Sequence, residues 1–213
     1  MSTQPACPGG TGGVAAHTVL RAALLGLLAC AAAPASAWIL TLTPGSKQLF
    51  LMVGNGTASA SNTTINTVSV TVPSASVGNG TAVTMTSNST QSTSPYDSYA
   101  VCNAPAQIYI GGSYRQPNAS TGSAAATLVV TTPTSLTNGS YSLAFSEISW
   151  TSTANGTTTA HIAAGTFTGG SVSLASIARN TFVENCFTYS YANSAVVPAG
   201  TYTGRAVFTL TVP

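Results

Sequence analysis

The most regular hydrophobic pattern in the chain lies in residues 198–213. One side of the extended chain there carries small, aliphatic and aromatic residues, namely Tyr202, Gly204, Ala206, Phe208, Leu210 and Val212. The positions between them are mostly threonine, and Pro198 and Gly200 mark the start of the segment. Strict alternation of this kind is typical of a β-strand with one face in a core and the other in water. We therefore predict a strand here and expect the rest of the chain to be organised around it.

Apolar runs separated by glycine, proline and asparagine recur along the rest of the chain. They predict further strands at residues 38–43, 48–53, 65–72, 83–85, 107–110, 126–132, 141–150, 171–174 and 182–191. Asn-Gly dipeptides, which favour tight turns, begin at Asn55, Asn79, Asn138 and Asn155. The polar residues 86–94 predict a mobile surface loop. Because no amphipathic helix of useful length is visible, the expected fold class is all-β, an antiparallel Ig-like or pilin-like β-sandwich.

The first 37 residues have the organisation of a secretory signal peptide. Arg21 precedes an apolar run at residues 22–33, and the small-residue site Ala35-Ser36-Ala37 follows. The run is shorter than the roughly 20 residues that a permanent transmembrane helix needs. We expect cleavage before Trp38, which would leave residues 38–213 as a single domain that is secreted, periplasmic or at the cell surface.

A second processing site offers an alternative to cleavage before Trp38. Residues 27–30 (Leu-Leu-Ala-Cys) are similar to the lipobox of bacterial lipoproteins, in which Cys30 would carry a lipid anchor. The two sites predict different mature N-termini. Neither predicts a membrane-spanning segment.

Charged residues are scarce throughout the chain. It contains five Lys and Arg residues against three Asp and Glu residues. Nucleic-acid binding requires clustered basic side chains, and those in this chain are scattered. We therefore expect no nucleic-acid partner, and little electrostatic repulsion opposes self-association.

Two cysteines, Cys102 and Cys186, follow the predicted signal peptide. An even pair in an exported chain predicts one disulfide bond, and two free buried thiols are the alternative. No Cys-x-x-Cys pair or Cys/His cluster is present, so we expect no metal and no cofactor.

Few side chains are suited to acid–base catalysis. Those after residue 37 are His161 and three acids, Asp97, Glu147 and Glu184. The sequence places no two of these acids together, and we expect them to form ion pairs with Arg115 or Arg179 instead. Lys47 is interpreted as a solvated loop residue, the alternative being an intramolecular isopeptide bond. The chain lacks the nucleophile-elbow, zinc-protease and phosphate-loop motifs, and no catalytic residue is predicted.

Four tyrosines, Tyr96, Tyr99, Tyr109 and Tyr114, lie close together in the sequence, beside two side-chain amides. Rings beside amides can stack on sugars, so these tyrosines are a candidate carbohydrate-binding patch. The alternative, which we favour, is that they pack a sandwich edge around Cys102. A disulfide to Cys186 would bring Phe182 and Phe187 towards the same place.

Seven Asn-x-Ser/Thr sequons occur, at Asn55, Asn62, Asn79, Asn88, Asn118, Asn138 and Asn155. In an organism that glycosylates such sites they would mark surface loops. In an ordinary bacterium they would reflect only the preference of asparagine for turns.

The C-terminal segment resembles that of subunits of bacterial chaperone–usher fimbriae and of the related spore-coat-protein-U-like secreted domains. Those proteins end in an alternating strand with a glycine fourteen residues from the end, the place that Gly200 occupies here. The resemblance implies an Ig-like sandwich whose terminal strand pairs with a periplasmic chaperone and which a neighbour's N-terminal strand completes. Residues 38–43 alternate as such a donor strand would, or as a strand of the chain's own sandwich.

Three functions are consistent with these features. The first is an exported, non-enzymatic, self-associating cell-surface protein of fimbria-like type. The second is a self-contained secreted domain that binds carbohydrates or other surface polymers. The third is a hydrolase that uses Glu147, Glu184 and His161. The first is our preferred expectation.

Overall fold

The computed structural model describes residues 40–56, 65–118, 122, 124–154 and 160–212. The predicted signal peptide, the alternative anchor at Cys30, the expected mature start at Trp38 and the sequons at Asn62 and Asn155 lie outside these ranges. No helix within the described ranges is long and apolar enough to cross a membrane.

The described chain contains fourteen strands and two short 3₁₀ turns, which are connected by loops. The strands are β1 (Leu40–Thr41), β2 (Gln48–Val53), β3 (Val68–Ser69), β4 (Val83–Thr84), β5 (Thr86–Ser87), β6 (Ile108–Arg115), β7 (Ala125–Thr131), β8 (Ser135–Asn138), β9 (Tyr141–Ala144), β10 (Ile148–Thr153), β11 (Gly165–Thr166), β12 (Ser171–Ala178), β13 (Thr181–Tyr191) and β14 (Val207–Thr211). The 3₁₀ turns are Ser74–Ser76 and Phe145–Glu147.

The strands form two main sheets in which every pairing is antiparallel. The larger sheet has the order β11-β10-β13-β6-β2, and β1 and β4 also pair with β13. The smaller sheet has the order β12-β7-β14. Two further pairs, β3-β5 and the hairpin β8-β9, lie outside these sheets.

The two main sheets share one hydrophobic core. The larger sheet contributes Ile110, Val183 and Phe187, and the smaller sheet contributes residues such as Leu128 and Ile177. All five are at most 6 % exposed. Burial of this kind between two sheets is the main favourable term in the stability of a sandwich. The prediction of an all-β antiparallel sandwich is confirmed.

β13 is the central strand of the larger sheet. One side pairs with β6 and β4, and the other with β1 and β10. Most of its residues are buried, unlike those of a half-exposed strand. Polar side chains in this strand, Glu184 and Asn185 among them, must therefore find hydrogen-bond partners inside the protein.

Several predicted strands are shorter in the structure than in the sequence pattern: within residues 198–213 the strand is only β14, Val207–Thr211, and within residues 38–43 the described strand is only β1, Leu40–Thr41. Residues 141–150 are divided by the 3₁₀ turn at Phe145–Glu147, so they form β9 and β10 rather than one strand. Residues 65–72 form only the short strand β3, because just two of their residues pair with β5. Val68, Val70 and Val72 nevertheless pack against the core, as their alternation predicts.

The described Asn-Gly dipeptides play different structural roles. Asn138 and Gly139 turn the β8-β9 hairpin, where Gly139 has a φ of 57°. Asn79 turns no hairpin, since the strands on either side of it pair elsewhere, β3 with β5 and β4 with β13. Its side-chain oxygen accepts hydrogen bonds from the backbone of Thr81 (2.8 Å) and from the amide of Asn193 (2.9 Å). The Asn-Gly dipeptides at Asn79 and Asn138 therefore both mark turns, but only that at Asn138 connects the strands of a hairpin.

Asn55 holds the polar segment 86–94 against the protein. Its side-chain oxygen accepts hydrogen bonds from the Ser89 hydroxyl (2.9 Å) and from the backbone N–H groups of Thr90 (2.8 Å) and Gln91 (3.2 Å). This segment is thus attached by hydrogen bonds rather than by apolar packing. Polar composition alone does not reveal such an attachment.

Candidate functional site

The disulfide bond between Cys102 and Cys186 is present, with the two Cα atoms 5.6 Å apart. Both cysteines are buried and pack with Met52 and Tyr109 in a small cluster beside the main core. The prediction is confirmed, and the alternative of two free thiols is excluded. The bond attaches the end of residues 92–102, called here the 92–102 loop, to the central strand β13.

The predicted tyrosine patch divides into a buried pair and an exposed pair. Tyr109 and Tyr114 are fully buried, so neither can stack on a surface ligand, and the four-tyrosine patch is wrong in that form. Tyr109 packs beside the disulfide, as the alternative interpretation expects. Tyr96 and Tyr99, on the 92–102 loop, are 54 % and 63 % exposed. The Tyr96 ring lies 5.5 Å from the Phe182 ring on β13, centroid to centroid.

Glu184 forms a small polar site on β13 beneath the 92–102 loop. The residue is 8 % exposed, and its Oε2 atom accepts a hydrogen bond of 2.8 Å from the Tyr109 hydroxyl. Ser94 of the loop lines the same cavity as this carboxyl group. This cavity has a volume of about 10 Å³, room for one water molecule. The cavity is lined by Leu40, Ser94, Tyr96, Asp97, Phe182 and Glu184.

The environment of Glu184 favours the protonated carboxyl. Burial raises the pKa of Glu184 above its ordinary value, and the nearby charge of Asp97 raises it further. The hydrogen bond from Tyr109 and the nearby Ser94 hydroxyl oppose these effects by stabilising the carboxylate. Burial and the neighbouring Glu184 in turn raise the pKa of Tyr109, which keeps the phenol protonated.

The expected ion pairs of the glutamates with arginine are wrong. Glu184 bonds to Tyr109, and the Glu147 carboxylate accepts hydrogen bonds from the Ser194 hydroxyl and from the Ser194 backbone N–H (3.0 Å). Two of the chain's three acidic residues, Asp97 and Glu184, instead line the same cavity. Only the approach of the 92–102 loop to β13 brings them together, and the sequence pattern does not show it.

The residues of the hydrolase hypothesis do not form one catalytic group. The backbone of Glu147 hydrogen-bonds to that of Ala192, which directly follows β13 and is eight residues after Glu184 in the chain. At about 3.3 Å per residue this separates the two positions by roughly 26 Å, whereas glycoside hydrolysis needs carboxyl groups about 5–10 Å apart. His161 has a buried Nε2 atom with no hydrogen-bond partner among the described residues. Nor do the described residues contain a group of three His, Cys, Asp or Glu side chains arranged to hold a metal.

The C-terminal segment has the alternation that its sequence predicts. The side chains of Tyr202, Ala206, Phe208, Leu210 and Val212 are half-buried, and the residues between them are exposed. β14 pairs in register with β7, from Val207 opposite Thr131 to Thr211 opposite Thr127. Upstream of β14, Thr203 exchanges two backbone hydrogen bonds of 2.9 Å with Thr137 of β8.

Both glycines of this segment lie where a side chain has no room. A Cβ atom at Gly204 would lie 2.6 Å from the Phe145 ring and 2.7 Å from Leu136. Gly200 has a φ of 152°, and a Cβ atom there would lie 1.9 Å from the Asn138 amide. These glycines therefore allow the segment to pack closely on the β8-β9 hairpin.

In the described part of the chain β14 is an edge strand, and its own sequence has none of the features that protect an edge. It hydrogen-bonds to β7 on one side and, in the described part of the chain, to no strand on the other. It contains no proline, no charged residue and no shift of register. Proteins protect exposed edges with such devices because an unpaired edge recruits further strands.

The opposite edge of the same sheet is protected. β12 has a β-bulge between Ser173 and Ala175. In addition, the Leu174 carbonyl accepts a hydrogen bond of 3.0 Å from the Ala163 backbone N–H. The two edges of one sheet are therefore built differently.

The edge of the larger sheet lies beside β14. β2 is the last strand of that sheet and lies close to β14. Two of the exposed large hydrophobic residues lie on these strands, Leu49 (40 % exposed) and Val207 (48 % exposed). This side of the sandwich thus combines two edge strands with exposed apolar side chains.

The beginning of the described chain pairs within its own sandwich. Leu40 and Thr41 form β1, which lies opposite Phe182 and Thr181 of β13. Leu40 and Thr41 therefore belong to a strand of the chain's own sandwich, the second of the two alternatives, and not to a free donor strand. Residues 38 and 39 lie outside the described ranges.

Comparisons of the chain with protein-family models, with curated proteins and with solved structures gave no match. Proposals about its function therefore depend on the geometry described above.

Proposed function

We propose that this chain is an exported, non-enzymatic structural protein that self-associates at the cell surface through its C-terminal strand. The edge of β14 that pairs with no strand among the described residues carries this proposal. A strand added to this edge would hydrogen-bond to the backbone N–H and C=O groups of β14 that do not pair with β7. The partner we propose is a second copy of the chain.

Two further features of the chain support association between copies. The chain has a formal net charge of +2 over 213 residues, so repulsion between copies is weak. The exposed apolar side chains of Leu49 and Val207 lie on the same side of the sandwich as the β14 edge. Backbone pairing would supply the geometry of the contact, and burial of these side chains would add to its stability.

Sedimentation of a matched pair of lysine variants tests the proposal. Thr209 of β14 and Ser173 of β12 are both exposed and lie opposite the same residue, Val129, at the two edges of one sheet. We expect the wild-type domain to associate as its concentration rises. Thr209→Lys should weaken association at least tenfold because a charge on an edge strand opposes pairing. Ser173→Lys should associate like the wild type.

Two results would contradict edge pairing. One is a wild-type domain that stays monomeric at every concentration reached. The other is an equal effect of Thr209→Lys and Ser173→Lys, which would assign the loss to added charge rather than to the β14 edge. Association only in the presence of a periplasmic chaperone would replace self-pairing with a chaperone complex at the same strand.

A second candidate function, binding of surface glycans, is supported by the exposed pair Tyr96 and Tyr99. These rings project from one loop that the disulfide anchors, and exposed tyrosine rings can stack on sugars. Tyr99→Ala should then abolish binding to a glycan array. Tyr141→Ala, at a ring of similar exposure (55 %) on β9, is the control and should leave binding unchanged. An array with no bound glycan removes this candidate.

A further inference from the structure

Within the described residues, the 92–102 loop contacts β13 at its end and near its tip. At its end, the disulfide joins Cys102 to Cys186. Near its tip, the Tyr96 ring packs on Phe182, and Ser94 and Asp97 line the same cavity as the Glu184 carboxyl. The disulfide is covalent, whereas the contacts at the tip are non-covalent. The tip can therefore leave β13 while the end of the loop stays attached.

We propose that the 92–102 loop is a pH-controlled latch, which is closed over β13 while the Glu184 carboxyl carries a proton and which opens when that carboxyl ionises opposite Asp97. The latch goes beyond the proposed self-association and does not depend on it. Opening would uncover Phe182 and the Glu184 side chain beside the exposed Tyr96, and so would change the surface that the domain presents.

Among the described residues, those that line the cavity beside Glu184 offer no positive charge to balance an ionised carboxylate. The loop contributes Ser94, Tyr96 and the Asp97 carboxylate, β1 contributes Leu40, and β13 itself contributes Phe182. From β6, the Tyr109 hydroxyl bonds to Glu184, and the residue paired with Glu184 is Gly111, which has no side chain. No Lys, Arg or His side chain is among the residues that line the cavity.

Asp97 is fixed within the loop tip, so repulsion between its carboxylate and that of Glu184 acts on the tip. The Oδ1 atom of Asp97 accepts a hydrogen bond of 3.0 Å from the Tyr99 backbone N–H, which fixes the carboxylate within the tip. Two carboxylates that face one cavity repel each other strongly because burial reduces screening by water. Glu184 is held in the central strand, so the movable partner is the loop.

The direction of the pH dependence follows from the raised pKa of Glu184. A group that binds its proton more tightly in the closed form stabilises that form at low pH. As the pH rises above about 4.5, the ordinary value, the ratio of open to closed loop should increase tenfold per pH unit. The increase should stop at the raised pKa of the closed form. The latch is therefore closed in acid and loosened towards neutral pH.

Hydrogen exchange of the loop amides, corrected for intrinsic exchange rates, measures this opening. The N–H of Ser94 donates to the Tyr99 carbonyl (2.8 Å) and that of Ser98 donates to the Ser94 carbonyl (3.0 Å), both at the tip of the loop. We expect their protection in the oxidised protein to fall as the pH rises from about 4 towards the raised pKa of Glu184, and to stay constant above it. The Thr132 and Phe145 amides, which are bonded elsewhere in the fold, should keep their protection.

Three acid-to-amide variants assign the effect. Glu184→Gln stays neutral at every pH, so its loop protection should be high and independent of pH. Asp97→Asn removes the facing charge and should make the fall smaller. Glu147→Gln alters the one acid that lies elsewhere, bonded to Ser194, and should behave like the wild type.

Several outcomes would overturn the latch. They are loop protection in the wild type that is independent of pH, a pH dependence that survives in Glu184→Gln, and a parallel loss of protection at Thr132 and Phe145, which would indicate global unfolding. If Glu184→Gln does not fold, the wild-type titration and Asp97→Asn decide the question. A fall that is unchanged in Asp97→Asn would show that Asp97 does not drive opening.

Discussion

β13 and β14 are both strands of one sandwich, but they occupy opposite positions in it. β13 pairs with strands on both sides and is buried along most of its length, whereas β14 pairs on one side and is exposed at every second residue. The cleaner sequence pattern belongs to β14. Regular alternation indicates a strand with one face in water, whereas a strand buried on both faces has no such alternation. The strand that is easiest to recognise in the sequence is therefore at the edge of its sheet, and the central strand is less regular. This comparison corrects the expectation that the chain is organised around its C-terminal segment.

The two strands also differ in how they use polar residues. β14 turns its threonines to water, where they need no protein partner. β13 buries Glu184 and Asn185, and both are hydrogen-bonded: Asn185 accepts from the Ile162 N–H (2.8 Å) and donates to the Thr153 carbonyl (3.0 Å). We therefore expect substitutions on β13 to affect folding and ionisation, and exposed substitutions on β14 to affect association.

Removing the disulfide should have the largest effect on stability. In the variant Cys102→Ala/Cys186→Ala, the loss of a link across 84 residues should lower the free energy of unfolding by about 4–5 kcal/mol, on the chain-entropy model. Chemical denaturation of both proteins measures the difference. A change below about 1 kcal/mol would mean that β13 is held in place without its covalent attachment.

A pair of phenylalanine variants compares the two strands directly. Phe187 of β13 is 1 % exposed and lies 5.6 Å from the Trp150 ring, centroid to centroid, so Phe187→Ala should cost about 3–5 kcal/mol. Phe208 of β14 is only half-buried, and Phe208→Ala should cost about half as much, since the transfer free energy follows the buried area. Equal costs in denaturant unfolding would show that β14 is as important to the core as β13.

A pair of glycine variants tests how closely the C-terminal segment must pack. Gly204→Ala should cost about 1–3 kcal/mol, because the new methyl group would overlap Phe145 and Leu136. At Gly170 the nearest atom to an added Cβ would be the Thr168 hydroxyl oxygen at 3.9 Å, so Gly170→Ala should cost less than about 0.5 kcal/mol. Thermal unfolding of both variants provides the measurement. A well-tolerated Gly204→Ala would contradict the close approach.

The smallest effect concerns two tyrosine hydroxyl groups. Tyr109→Phe leaves the buried Glu184 carboxyl without one of its donors and should cost about 1–2 kcal/mol. In Tyr202→Phe the lost bond is that to the Pro198 carbonyl (3.0 Å), which water can replace at the surface, so the cost should be below about 0.5 kcal/mol. If denaturant midpoints show the reverse order, the polar site on β13 contributes less to stability than the C-terminal segment.

Several parts of the fold could be predicted because they depend on local pattern or simple counting. β2 was predicted with the bounds that it has, and the alternation in the C-terminal segment predicted which of its side chains face the core. The pairing of Cys102 with Cys186 followed from their being the two cysteines after the predicted signal peptide. The break at Phe145–Glu147 could not be predicted, since the residues on both sides of it have strand-like composition.

The candidate sites were less predictable because each is made by segments that are distant in the sequence. Asp97 and Glu184 share a cavity because the disulfide and the Tyr96–Phe182 contact bring the 92–102 loop onto β13. Tyr109 lies on β6, a strand whose residues are nearly all buried, whereas Tyr96 is exposed. Their closeness in sequence suggested one shared surface patch, which the structure does not contain.

The sequence by itself determined the class of fold, the disulfide and the face of β14 that enters the core, because period-2 alternation and cysteine number are local properties that need no knowledge of neighbours. Only the tertiary structure decided which strand is central, which edges are protected and which acids meet. Those features depend on hydrogen bonds and contacts between residues far apart along the chain, and no local pattern encodes them.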